Sequence, residues 1–253
     1  MAWDHEGLGA LIAFAVATFT TPTGVSGAVF LIPVQVSILG VSNPALTPTN
    51  LLYNVIATPG ALLGYRRFDR ALVRLLVAGT VPGMIAGAIL RVTVLDGPQA
   101  FFGVIAVVLL PIGVWLLLDR APRRRPAREG RIVALALAVG LIGGVYGIGG
   151  GSLLAPILVG MGLSVLAVAP ATIAVTFLTS VVGVIAFGLL SLEAHGSIAP
   201  DWSLGIAMGL GGLAGGFCGA RLQGRLPEAL IRRGLGAISI VLAVHYALEV
   251  VLG

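Results

Sequence analysis

Hydrophobic residues fill the chain in runs of about 20, the length at which a helix spans a bilayer's hydrocarbon, with polar residues gathered in short gaps between them. The first run starts near Gly7, breaks over Thr20-Thr21-Pro22-Thr23-Gly24-Val25-Ser26-Gly27, and resumes to Gly40. Uninterrupted runs follow at 44–63, 71–90 and 98–118. The segment 119–130 is rich in arginine and proline and belongs in water. The pattern then recurs: a second run at 131–162, broken by Gly147-Ile148-Gly149-Gly150-Gly151-Ser152, and whole runs at 167–190, 202–222 and 228–252. The pattern predicts an all-α integral membrane protein built from two repeats, 1–118 and 131–253, joined by a basic linker at 119–130.

The breaks share one plan. Gly24, Gly27 and Pro33 match Gly147, Gly150 and Pro156 at a constant offset. Further on, Pro48 parallels Pro170, Asn50 and Asn54 fall opposite Thr172 and Thr176, and Gly83 and Gly87 parallel Gly212 and Gly216. Such internal duplication is a building principle of transporters. Each broken run is either a single crossing or a hairpin that enters and leaves on one side.

The arginines decide between these. With the N-terminus outside and hairpins at 7–40 and 131–162, Arg66, Arg67, Arg70, Arg74, the linker arginines, Arg221, Arg225, Arg232 and Arg233 all face inward. Of the 15 basic residues only Arg91 then faces out, as the inside preference of positive loops requires. Single crossings would put a basic loop outside. The expectation is therefore two inverted repeats, each a re-entrant helical hairpin plus three transmembrane helices, with both termini outside and the linker cytoplasmic.

Composition agrees: 58% of residues are hydrophobic and 10% charged, with a mean hydropathy of +1.07, against about 25% charged in soluble domains. The net charge of +5 lies in loops and is a topology signal, which argues against nucleic acid as a partner. The acidic start Met1-Ala2-Trp3-Asp4-His5-Glu6 lacks a basic leader. Cys218 is the sole cysteine; it predicts a small buried thiol, no intrachain disulfide and no metal site. Trp3, Trp115 and Trp202 read as interface anchors. His5, His195 and His245 lie near segment ends and read as interfacial rather than as a proton relay. Proton coupling and a homodimer both stay open.

At a glycine break the second helix of each hairpin starts with unpaired N–H donors and roughly half a positive charge. Backbone of this kind is tolerated at membrane depth only where it is enclosed by protein or faces a polar ligand. Two such starts aimed at one dry pocket make an anion site without any basic side chain, and none lies in mid-span. The candidate substrate-binding residues are Thr23, Gly24, Ser26 and Gly27 at the first tip and Gly149, Gly150, Gly151 and Ser152 at the second. On the following spans, Asn50, Tyr53 and Asn54 join Thr172, Thr176 and Thr179. Each residue has a plainer alternative: glycines serve close helix packing, and membrane threonines bond their own helix's carbonyls. Three consecutive glycines exceed what packing needs, since each weakens a helix by roughly 1 kcal/mol relative to alanine. No paired carboxylates, nucleophile–base pair or ligand cluster points to an enzyme, and no cofactor is called for.

The string Gly-Ile-Gly-Gly-Gly-Ser-Leu-Leu-Ala-Pro at 147–156, its degenerate copy at 24–33, the pairs Ala171-Thr172 and Thr179-Ser180 and the late glycine-rich span together resemble the TauE/SafE sulfite exporter family, also called TSUP. The stretch Asn50-Leu51-Leu52-Tyr53-Asn54 is similar to the polar stretch found there in that family. The resemblance implies a secondary transporter moving sulfite, sulfoacetate or a similar sulfur-containing or organic anion across the bacterial inner membrane. A passive anion channel using the same helix ends is the alternative. The first copy departs from the pattern, with Ser26, Ala28 and Val29 in place of the glycines and serine, so its tip is expected to be narrower or shaped for another anion.

Overall fold

The computed structural model describes residues 3–41, 43–65, 67–93, scattered positions at 110–118, and residues 129–193, 199–223 and 225–252. The expected span 98–118 and linker 119–130 fall largely outside these, as do Arg66, Trp115 and His195. Among the described residues every regular element is helical. In chain order they are α1 (Trp3–Thr20), a 3₁₀ turn (Thr21–Thr23), α2 (Ala28–Ser37), α3 (Asn43–Gly64), α4 (Arg70–Thr93), α5 (Glu129–Tyr146), α6 (Gly150–Gly160), α7 (Val165–Glu193), α8 (Trp202–Gln223) and α9 (Glu228–Leu252). Of these, α4, α5, α7 and α8 are long and apolar enough to cross a membrane. Large hydrophobics such as Phe19, Leu63, Leu189 and Val241 stand exposed on the outer surface, where lipid replaces water.

Both glycine breaks are real helix ends. After the 3₁₀ turn, Gly24 takes a left-handed conformation at φ 83°, and α2 starts four residues later. The chain doubles back there: Val16 lies beside Gly27, and Leu39 beyond α2 lies beside Gly9 near the start of α1. The second break is tighter. Gly147 and Gly149 have φ 68° and 67°, and Gly140 and Gly143 of α5 lie against Gly150 at the start of α6.

The longest helix contacts cross between the halves: α1 lies along α8, α5 along α4, and α3 along α8. Two of these contacts are backbone seams. A methyl group added at Gly211, Gly215 or Gly219 of α8 would strike the carbonyls of Ala10, Phe14 and Thr18 on α1. One added at Gly79, Gly83 or Gly87 of α4 would strike those of Val133, Leu137 and Leu141 on α5. The two seams correspond residue for residue, since Val133, Leu137 and Leu141 each follow their α1 counterparts by the offset that relates the two breaks.

Two sequence expectations need correction. By their seam contacts Gly83 and Gly87 are the counterparts of Gly215 and Gly219, three positions from the expected Gly212 and Gly216. Helix α8 carries two glycine faces, and Gly212 and Gly216 lie on the other one, against Tyr53, Ala57 and Ala61 of α3. Cys218, expected to be buried, is exposed. The close-packed faces of α8 are the glycine ones, and Cys218 lies off both.

Candidate functional site: two tips in contact

The two breaks meet. The Ser26 N–H donates to Ser152 Oγ at 3.2 Å, and Ser152 Oγ in turn donates to the Ile148 carbonyl at 3.2 Å. The Ser26 hydroxyl donates to Asn54 Oδ1 and accepts from the Ala28 N–H at 3.2 Å at the start of α2. Asn54 is shared between the arms, because its Nδ2 donates to the Gly147 carbonyl at 3.4 Å. Ser26, Ser152 and Asn54 are all buried.

Each tip rests on a span of the opposite half. Gly24 sits against the backbone of Ala169, and a Cβ there would lie 2.5 Å from the Ala169 Cα. Its carbonyl accepts the Thr172 hydroxyl at 2.8 Å. Gly147 sits likewise on Thr47, a Cβ there lying 3.1 Å from the Thr47 Cα, while Thr47 Oγ1 donates to the Val145 carbonyl at 3.3 Å. Only glycine combines the left-handed backbone with so close an approach.

The remaining predicted residues divide by what their polar atoms do. Thr23 returns its hydroxyl to the Thr20 carbonyl at 2.6 Å, and Thr179 returns its own to Val175 at 2.8 Å. Asn50 braces the first arm, donating to the Ala28 carbonyl at 3.2 Å and accepting from Gln35 Nε2 at 3.1 Å. Tyr53 packs its hydroxyl against Gly27 and, with Thr21, Ser26 and Thr58, lines a cavity of about 10 Å³, roughly the room one water needs. Gly149 and Gly151 face Thr176 of α7, whereas Gly150 faces Thr80 of α4. The glycine triplet is therefore divided between two neighbouring helices.

Several residues of this region did not stand out in the sequence. Tyr65 donates to the Thr21 carbonyl at 2.5 Å, and Gln223 Nε2 donates to the Pro22 carbonyl at 3.0 Å, so two spans hold the carbonyls of the first tip. Gln35 and Gln223 are buried amides in apolar helices. The same signal that singled out Asn50 and Asn54, a polar group that needs a partner in hydrocarbon, applies to both. Among the described residues no acidic, histidine or cysteine cluster could hold a metal ion. Electrostatically the site is made of the N-terminal ends of α2 and α6, neutral hydroxyls and amides.

A polytopic helical membrane protein with two broken arms joined at their tips has the form of a membrane transporter. The chain belongs to the sulfite exporter TauE/SafE family, whose profile matches residues 9–246. It is similar to probable membrane transporter proteins of two Xylella fastidiosa strains, Temecula1 and 9a5c, at 26% identity over 94% of this chain and 92% of each relative. No solved structure matches.

Proposed function

We propose that the protein is a secondary transporter carrying a small sulfur-containing or organic anion, such as sulfite or sulfoacetate, across the bacterial inner membrane. The anion binds where the two tips meet and is exposed to each side in turn. The observation that carries this reading is the hydrogen bond from the Ser26 N–H to Ser152 Oγ, which joins the starts of two helices from opposite halves of the chain. The Ser26 N–H of one tip is taken up by the Ser152 hydroxyl of the other. An anion arriving between them replaces that contact with stronger, charge-assisted bonds.

Two further features support the reading. The equivalent seams of α1 on α8 and α5 on α4 suit an inverted repeat, in which one arm enters from each side. The distribution of arginines supports an orientation with both termini outside and the linker in the cytoplasm. Neutral donors suit an ion that must leave again, since an unpaired buried arginine or lysine would be costly between transport events.

The test is uptake of radiolabelled sulfite and sulfoacetate by proteoliposomes. Saturable flux with counterflow is the expected result, and no saturable flux across a panel of sulfonates, sulfite, thiosulfate and short carboxylates would refute the proposal. Flux that neither saturates nor shows counterflow would replace the carrier with a channel.

A further inference from the structure

Two hydroxyls beside the second tip have no partner. Thr176 and Ser180 are both fully buried at 0% exposure, and neither Thr176 Oγ1 nor Ser180 Oγ makes a hydrogen bond. Buried polar atoms without partners are rare in folded proteins and call for an explanation. Helical threonines ordinarily return the hydroxyl to the carbonyl four residues back, and this chain does so at Thr49, Thr58, Thr80, Thr172 and Thr179. Thr176 and Ser180 do not.

Their surroundings are specific. One helical turn separates them, so they share a face of α7, and that face meets Gly149 and Gly151. A Cβ at Gly149 would lie 3.1 Å from Ser180 Oγ, and one at Gly151 would lie 2.5 Å from Thr176 Oγ1. The first turn of α6 starts here: the Ser152 N–H bonds the Gly149 carbonyl at 3.3 Å, and the N–H groups of Gly150 and Gly151 ahead of it lie where a helix has no intrahelical acceptors. The corresponding positions of the first half, Asn54 and Thr58, are fully engaged: Asn54 bonds Ser26 and Gly147, and Thr58 bonds the Asn54 carbonyl. At matching places Asn54 holds the tips together and Thr58 bonds its own helix, whereas Thr176 and Ser180 are left unspent.

We infer that Thr176 and Ser180 are the side-chain donors that grip the transported anion, together with the N–H groups at the start of α6. The anion that replaces the Ser26–Ser152 contact is therefore held from its second-half side. The assignment rests on the anion-transport reading above and adds to it. Two hydroxyls whose Cβ atoms stand about 5–6 Å apart on a helix face suit a ligand presenting two oxygens of one group: a sulfite, a sulfonate or a carboxylate. Neither hydroxyl carries charge, so selectivity comes from the geometry of donors.

The test uses the full-length protein in detergent, with sulfite, sulfoacetate and acetate as probes. Binding is measured by calorimetry, and melting of the ligand-free protein is recorded in parallel. Thr176→Val and Ser180→Ala should each weaken binding of the preferred probe about tenfold. Ligand-free melting should stay at or above that of the wild type, because no internal bond is lost. Thr18→Val, which removes an exposed hydroxyl bonded to Phe14, should leave binding unchanged. Unaltered affinity in both site variants, with the wild type binding normally, would overturn the assignment and spare the transport reading. A drop in ligand-free melting in both variants would show that the hydroxyls are structural and also overturn it. No binding of any probe by the wild type would overturn both.

Discussion

Replacing Gly151 by alanine adds a single methyl group, and its effect follows from where that group points. Gly151 lies in the first turn of α6, and the added Cβ would land on the Thr172 carbonyl oxygen, 2.8 Å from the carbonyl carbon and 2.5 Å from Thr176 Oγ1. The main obstacle is the backbone of α7, which cannot turn aside as a side-chain tip can. On propensity alone, glycine to alanine in a helix is favourable by about 0.5–1 kcal/mol. Forcing a methyl into a filled site costs about 1–3 kcal/mol, so the clash outweighs the gain and net destabilisation of roughly 1–2 kcal/mol is expected. Gly188→Ala supplies the contrast. That glycine also lies in a helix, α7, but has no atom within 4 Å of its Cβ position. There the propensity term acts alone and the variant should be stabilised by up to about 1 kcal/mol. Thermal unfolding of the purified protein in detergent separates the two, at a few degrees per kcal/mol for a chain of this size. If Gly151→Ala melts as high as the wild type, or moves in the same direction as Gly188→Ala, the close seating of the second tip on α7 is wrong.

Three other expectations can be checked alongside. In a Cys218→Ser background, the double variant Ser26→Cys/Ser152→Cys should cross-link under mild oxidation or with mercury and lose transport until reduced; a pair that stays free thiol would separate the tips. Gly147→Ala should lower the melting temperature more than Gly40→Ala. Both glycines are left-handed, at φ 68° and 66°, which costs a non-glycine residue about 1–2 kcal/mol, but only Gly147 is also pressed against Thr47. Equal losses would argue against that contact. Tyr65→Phe should destabilise the protein by about 0.5–1.5 kcal/mol, the net worth of one hydrogen bond, because the Thr21 carbonyl keeps the Gly24 N–H as a partner at 2.9 Å. Gln223→Leu should do likewise at Pro22, and denaturation curves unchanged in both would remove their role in fixing the first tip.

The broad arrangement was legible because hydrocarbon imposes a simple code. Long apolar runs and breaks at Gly24 and Gly147 identify helices and their interruptions almost without regard to packing. Asn54 and Ser152 were legible for a related reason: polar groups inside apolar segments have to meet something, and here they meet each other's arms. Lateral partners were not legible. Nothing along the chain says that α1 lies on α8, or that α8 turns Gly211 to one neighbour and Gly212 to another. Rotation about a helix axis is set by contacts with other helices, and this is also why Cys218 turned out exposed. Asn50 shows the same limit. Spacing placed it on the face of Asn54, yet a rise of one turn takes it away from the meeting point and onto Gln35 and Ala28.

The glycine seams also change what counts as a mechanical unit. Because α1 of the first half is pressed onto α8 of the second, while α5 of the second is pressed onto α4 of the first, neither half can be a mechanical unit by itself. A gene divided at the linker would encode fragments that each lack the surface their own leading helix requires. Separately synthesised halves should therefore reach the membrane as unstable fragments, and become a working protein only when both are made in the same cell.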